Sequence, residues 1–177
     1  MNRSEGKMVY FITGASGVGK TTLVTQLEEK YSNRPWSFLH FDTIGVPSLE
    51  EMREKFSSPV RWQEIKTHEW IDRIMHEYTD EKIFLEGQVN LEFIRSGFAK
   101  HHFDNYTIIL IHCSEDEMRY RLTHGREQPE LFNKHMINWL KFLRDQAKDF
   151  KAVVIDSSTL SKGEVLQKFE EALDFLH

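Results

Sequence analysis

The stretch Gly14-Ala15-Ser16-Gly17-Val18-Gly19-Lys20-Thr21 fits the spacing G-x-x-x-x-G-K-[ST]. These residue types suit a polyphosphate. Glycines let the backbone curl until successive N–H groups point at one anion, and the N-terminus of a following helix adds the positive end of its dipole. At this spacing Lys20 reaches the β- and γ-phosphates and the Thr21 hydroxyl is placed to ligate Mg²⁺, with Thr22 next in the same turn. The motif needs a strand before it and a helix after it. Met8 to Ile12 is a short apolar run that reads as a buried strand, and Leu23, Val24, Leu27 and Tyr31 recur at helical spacing. ATP or GTP with Mg²⁺ is the ligand expected on Gly14 through Thr22.

Other residues could complete a transfer reaction. Asp42 follows the strand residues Phe38, Leu39 and Phe41, so it lies at or beyond a strand end. A carboxylate near a γ-phosphate can take a proton from a substrate hydroxyl; the competing reading is an Asx turn before Gly45. Asp42-Thr43-Ile44-Gly45 also matches the D-x-x-G of GTPases, but Asn133-Lys134-His135-Met136 lacks the aspartate of a base-reading N-K-x-D and falls inside an expected helix. Glu86 ends another strand. It could hold Mg²⁺ through water, anchor a substrate hydroxyl, or cap the next turn. Arg119, Arg121 and Arg126 lie on or just after one helix and could close over phosphates, or pair with Glu115, Asp116 and Glu117 on a solvated face.

The remaining chemistry-bearing residues read as structural. The nine histidines show no metal spacing, and His40 and His112 fall in strands as core or rim groups. Cys113 follows an apolar run and reads as a small core residue. Trp62, Trp70, Phe56 and Met52 could line an acceptor pocket, although aromatics at helical spacing are more often core.

The elements that must position these residues alternate throughout. Strands are expected at about 7–13, 36–41, 82–86, 106–112 and 152–156, with helices between them. Ser48-Leu49-Glu50-Glu51, Ser114-Glu115-Asp116-Glu117 and Ser161-Lys162-Gly163-Glu164 fit the capping box. One helix should run from about Val60 to Tyr78 after a break at Ser57-Ser58-Pro59, one from Pro129 to Phe150, and the last should bury Val165, Phe169, Leu173 and Leu176. Alternation of this kind means a parallel sheet covered on both faces, with the site beyond the carboxyl ends of its strands. The chain is 177 residues with no repeat or linker, so a single α/β domain over 1–177 is expected. A net charge of -5 argues against a nucleic-acid binder. One cysteine, no span-length apolar stretch and a polar start lead to the expectation of a cytoplasmic protein without a membrane partner.

The order of phosphate loop, strand-two aspartate, arginine-bearing segment and strand-five Asp156-Ser157-Ser158 resembles the small P-loop kinases, among them nucleotide, shikimate and gluconate kinases. Pro35 and Trp36 before a strand leading to Asp42 are similar to chloramphenicol phosphotransferase and its relatives. Arg121-Leu122, Arg126, Pro129 and Leu131 are similar to the lid region of these kinases. The resemblance implies a three-layer P-loop fold with strand order 2-3-1-4-5, a lid at about 119–130, and ATP and Mg²⁺ as cofactors. It implies Lys20, Asp42 and Arg126 as catalytic residues, Arg121 on the nucleotide, Thr21 as metal ligand with Glu86 behind it, and a small-molecule hydroxyl as acceptor. Glu86-Gly87-Gln88 departs from the glycine run of shikimate kinases and the Glu-Arg-Ser of nucleoside kinases, which leaves the acceptor open. A nucleotide kinase would need further arginines, for which Arg53, Arg61 and Arg73 are available. A slowly hydrolysing regulatory protein is the alternative from another class. Either a monomer or a homodimer is compatible with these residues.

Overall fold

Residues 6–174 are described in the computed structural model of the protein. Five strands form one sheet: β1 (Met8–Thr13), β2 (Trp36–His40), β3 (Lys82–Gly87), β4 (Tyr106–His112) and β5 (Val153–Asp156), in the order β2-β3-β1-β4-β5. Every neighbouring pair is parallel, as the alternation and the resemblance require. The connecting helices are α1 (Lys20–Lys30), α2 (Leu49–Phe56), α3 (Pro59–Glu77), α4 (Leu91–Lys100), α5 (Glu115–Tyr120), α6 (Lys134–Asp149) and α7 (Lys162–Leu173).

Successive residues of a strand point to opposite faces, so each apolar strand feeds two cores. Val9, Phe11, Ile83 and Leu85 pack with Trp70, Ile71 and Ile74 of α3 and with Ile94 and Phe98 of α4. Tyr10, Ile12, Phe84 and Ile109 pack with Leu23, Val24 and Leu27 of α1 and with Phe169 of α7. Each side chain of this size buried completely contributes about 1.5–3 kcal/mol. The sheet therefore holds the loops at its carboxyl edge on a rigid base. No helix among the described residues is long and apolar enough to cross a membrane.

Several boundaries differ from the sequence expectation, each for a local reason. β2 ends at His40, and Phe41–Ile44 form a 3₁₀ turn. Phe41 turns inward: its carbonyl accepts the Trp70 indole N–H at 3.0 Å and its ring meets Trp62 edge-on. Asp42 thus sits on a turn and not at the strand end itself. Ser58 caps α3 and Pro59 occupies its first turn, so the expected break is the helix start. Pro129–Leu131 is only a 3₁₀ turn, and Asn133 caps α6 by accepting the Met136 N–H, so Asn133 lies at a helix boundary and not inside a helix. Ser48 and Ser161 make complete capping boxes, but Ser114 makes half of one. Its N–H donates to Ser158, which frees Glu117 to bind Arg121. Leu176 lies outside the described residues.

Candidate nucleotide and phosphoryl-transfer site

The carboxyl ends of the strands bring the sequence candidates to one rim. Thr13 ends β1 and is locked by two hydrogen bonds to Val89, its hydroxyl donating to the carbonyl at 2.7 Å and accepting from the N–H at 3.1 Å. The chain then curls over β4. A Cβ on Gly14 would run into the Ile111 carbonyl, and Gly17, at φ 82°, lies against the Leu122 side chain. Gly19 occupies the N-cap of α1, which has no side-chain cap and no acidic residue in its first turn. The leading N–H groups of α1 are therefore left for an external anion.

Lys20 is 8% exposed, and its Nζ donates to the Ala15 carbonyl at 2.9 Å. Burial pulls its ammonium down to about 8, against the attraction of Glu86 and, more weakly, Asp42, while Arg126 repels it. The three expected partners thus converge electrostatically on Lys20. The Thr21 hydroxyl donates to Glu86 Oε1 at 3.2 Å, and His40 Nδ1 approaches the same oxygen at 2.9 Å. A hydroxyl beside a buried carboxylate is a hard-oxygen donor set that fits Mg²⁺, which keeps several waters and binds through one or two protein groups plus phosphates. That mode needs no all-protein cage, and no cluster of three or more His, Cys, Asp or Glu able to hold a metal occurs among the described residues.

The arginines separate into three environments. Arg119 packs over the Phe132 ring and takes no part in the cleft. Arg121 is fastened to the phosphate loop: it donates to Val18 O and Ser157 Oγ at 3.0 Å, to Ser157 O at 2.7 Å and to Glu117 at 2.6 Å. Arg126 is exposed, and its side chain has no hydrogen-bond partner among the described residues. Between them lies a π-helical turn, Arg121–Gly125, closed by the Arg126 N–H to the Arg121 carbonyl at 3.0 Å. Such turns are rare and frequently mark functional positions. Both arginines line a cleft of about 360 Å³ whose floor is Gly17 to Gly19 and whose far wall includes Thr22, Gln26 and Leu160. The volume suits a nucleotide-sized ligand.

The Asp42 side chain is exposed and makes no Asx turn; the local cap is the Thr43 hydroxyl on the His40 carbonyl at 2.7 Å. The Gly45 N–H bonds the Asp42 carbonyl at 3.0 Å, and Gly45 opens a second groove of about 370 Å³ walled by Phe56 and Trp62 with Lys55 and Lys66. Of the four apolar acceptor-pocket candidates, Phe56 and Trp62 line it, while Trp70 and Met52 are core. Arg53, Arg61 and Arg73 do not line it; Arg61 pairs with Glu64, and Arg73 with Glu77 over Trp70. Burial pushes the Cys113 thiol up to about 11, as befits a core residue and not a nucleophile. Two site residues had only faint sequence signals. Ser157 follows strand five, and its Oγ bridges Val18 O and His112 O, both at 3.1 Å. His40 reads in sequence as an ordinary strand residue.

A model of the AAA domain family matches residues 11–138, from β1 through the phosphate loop into α6. The chain belongs to this family. A search of curated protein sequences finds no match. Among solved structures, it is similar to a shikimate kinase from Acinetobacter baumannii in complex with shikimate, at 16% identity and TM-score 0.61, covering 96% of this chain and 95% of that one. It is similar to a gluconokinase from Sinorhizobium meliloti 1021 at 15% identity and TM-score 0.65, covering 97% and 98%. A shikimate kinase from Bacteroides thetaiotaomicron gives 18% identity and TM-score 0.58, covering 94% and 98%. The fold is that of the small P-loop kinases; the finer likeness to chloramphenicol phosphotransferase is not carried by these matches.

Proposed function

We propose that the protein is an ATP-dependent phosphotransferase that moves the γ-phosphoryl group to a hydroxyl of a small molecule. The observation that carries this reading is the placement of Asp42: an exposed carboxylate with no hydrogen-bond partner among the described residues, near enough to act on the Lys20 charge, on the turn that leads through Gly45 to the aromatic groove. The structural relatives are kinases, one of them with shikimate bound, which supports the same reaction class.

The residues divide the work. The phosphate loop from Gly14 to Thr22 cradles the polyphosphate, and Arg121 ties the loop to β5 at the nucleotide. Lys20 follows the charge that builds on the β- and γ-oxygens. Thr21, backed by Glu86, would hold Mg²⁺, which when bound supplies neutralising charge to the phosphates. Arg126, on a proposed lid at about 119–130 of a single domain, lies within reach of the transferring group. Asp42 orients the acceptor hydroxyl and takes its proton as the new O–P bond forms and the bond to the β–γ bridging oxygen breaks, releasing ADP. Asp42→Asn keeps the shape and should slow transfer by roughly 10²–10⁴-fold with ATP affinity unchanged, toward the lower end because a loose transition state asks little of a base. Full activity of that variant on a hydroxyl acceptor would remove Asp42 from the mechanism.

A nucleoside monophosphate acceptor calls for arginines beside Asp42. The groove offers Lys55 and Lys66 instead, single point charges without the bidentate fork that suits a phosphate. This favours the hydroxyl acceptor. A regulatory protein with slow hydrolysis would show release of phosphate unaffected by any acceptor.

A further inference from the structure

His40 ends β2 in register with Glu86 of β3, and Ile12 of β1 continues the same row. Side chains at paired positions leave a sheet on the same face, which brings the imidazole onto the carboxylate. Ionised carboxylates only accept, so the His40 nitrogen at 2.9 Å carries its proton and donates it. The Thr21 hydroxyl donates to the same Oε1 at 3.2 Å. Glu86 is 8% exposed and therefore has little water to satisfy it, so each donor counts. With two donors on Oε1, Oε2 has no hydrogen bond from another residue among the described residues. His40 itself is 29% exposed at its side chain. A β-branched residue would serve the strand better at such a rim position, so sheet packing alone does not account for an imidazole here.

We propose that His40 is a positioning residue for the metal-side pair. Its Nδ1–H pins Glu86 so that the Thr21 proton is committed to the carboxylate, which leaves the lone pairs of the Thr21 hydroxyl and the second Glu86 oxygen for the cation and its waters. His40 touches neither metal nor phosphate; it acts through Glu86, and it makes the metal requirement of β1's loop depend on a side chain of the acceptor-side strand. The inference rests on the reading of Thr21 and Glu86 as the magnesium side of the site.

The test measures ATP binding by calorimetry, first in excess chelator and then across a Mg²⁺ titration, for the wild type, His40→Leu and His40→Asn. Removing the partner that orients a metal-side ligand typically costs 10–100-fold in metal affinity. His40→Leu should therefore raise the Mg²⁺ concentration that half-maximally tightens ATP binding by about tenfold, with metal-free ATP affinity and melting temperature held. His40→Asn, whose amide N–H₂ can donate from nearly the same place, should recover most of the loss. In a Thr21→Val background the His40→Leu effect should largely vanish, because the two act through one carboxylate. Equal Mg²⁺ midpoints in all single variants would overturn the proposal. So would an equal loss of metal-free affinity in His40→Leu, the mark of a purely structural pair. A wild type whose ATP binding ignores Mg²⁺ would overturn the Thr21–Glu86 reading and the proposal with it.

Discussion

Raising the pH from 7.5 to 9 should weaken ATP binding through Lys20 alone. The Lys20 ammonium is buried in the phosphate loop with the Ala15 carbonyl as its neutral partner, and burial lowers its pKa from 10.5 to about 8. A lowered lysine destabilises the ligand-free fold in full below pH 8, by an amount on the order of 3 kcal/mol for a shift of this size. That cost fades as pH rises from 8 toward 10.5, so this group makes the ligand-free protein more stable in alkali. Bound triphosphate reverses the preference, because its charges favour the ammonium. At pH 7.5 most molecules hold the charge already; at pH 9 most must take up a proton as ATP binds. The affinity in chelator should therefore fall roughly tenfold between pH 7.5 and 9. Calorimetry in two buffers of different ionisation enthalpy should count little proton uptake at pH 7.5 and close to one proton at pH 9. Lys20→Arg, charged throughout, should flatten the pH dependence, and Lys20→Ala should remove most of the ATP-induced rise in melting temperature while leaving the ligand-free protein folded. A wild-type affinity that is flat over this range, with no proton uptake, would contradict a lowered Lys20 that regains its proton on the phosphates.

Thr21→Ala should raise the Mg²⁺ requirement for ATP binding more than Glu86→Gln does, since Thr21 is the expected direct ligand; the reverse order in a Mg²⁺ titration would make Glu86 the main anchor. Arg126→Ala should lower turnover by roughly 10³-fold, as expected of an arginine acting on the transferring charge, with ATP affinity and melting temperature nearly unchanged. Arg121→Ala should behave differently. It deletes charged hydrogen bonds to Val18 and Ser157 and should cost about 2–3 kcal/mol of stability together with ATP affinity. Calorimetric melting and steady-state kinetics on the pair would contradict this if the two variants behaved alike.

The strand–loop–helix around Gly14–Thr21 was legible because a curled backbone opening a helix depends on glycine spacing, which sequence records directly. The strand order was legible because parallel strands leave long apolar runs and the resemblance supplied their arrangement. What sequence recorded poorly depends on side-chain geometry across the fold. Asp42 looked like a strand terminus, but the Trp70 indole draws the Phe41 carbonyl inward and starts a turn one residue earlier. Arg119 and Arg121 were read together as one arginine-bearing segment; two residues apart on a helical turn they face different sides, so one reaches Phe132 and the other Ser157. His40 was unremarkable until register placed it beside Glu86. The difference among these cases is contact distance along the chain: motifs are local, whereas the partners of His40 and Arg121 lie tens of residues away.

The central claim is that phosphate leaves ATP for an organic hydroxyl. It is tested most directly by incubating the protein with γ-labelled ATP, Mg²⁺ and a fractionated metabolite extract, and following the label by mass spectrometry. The account predicts label in a small phosphate monoester, formed faster than inorganic phosphate and lost in Asp42→Asn. Label appearing only as inorganic phosphate, at a rate the extract does not change, would contradict it.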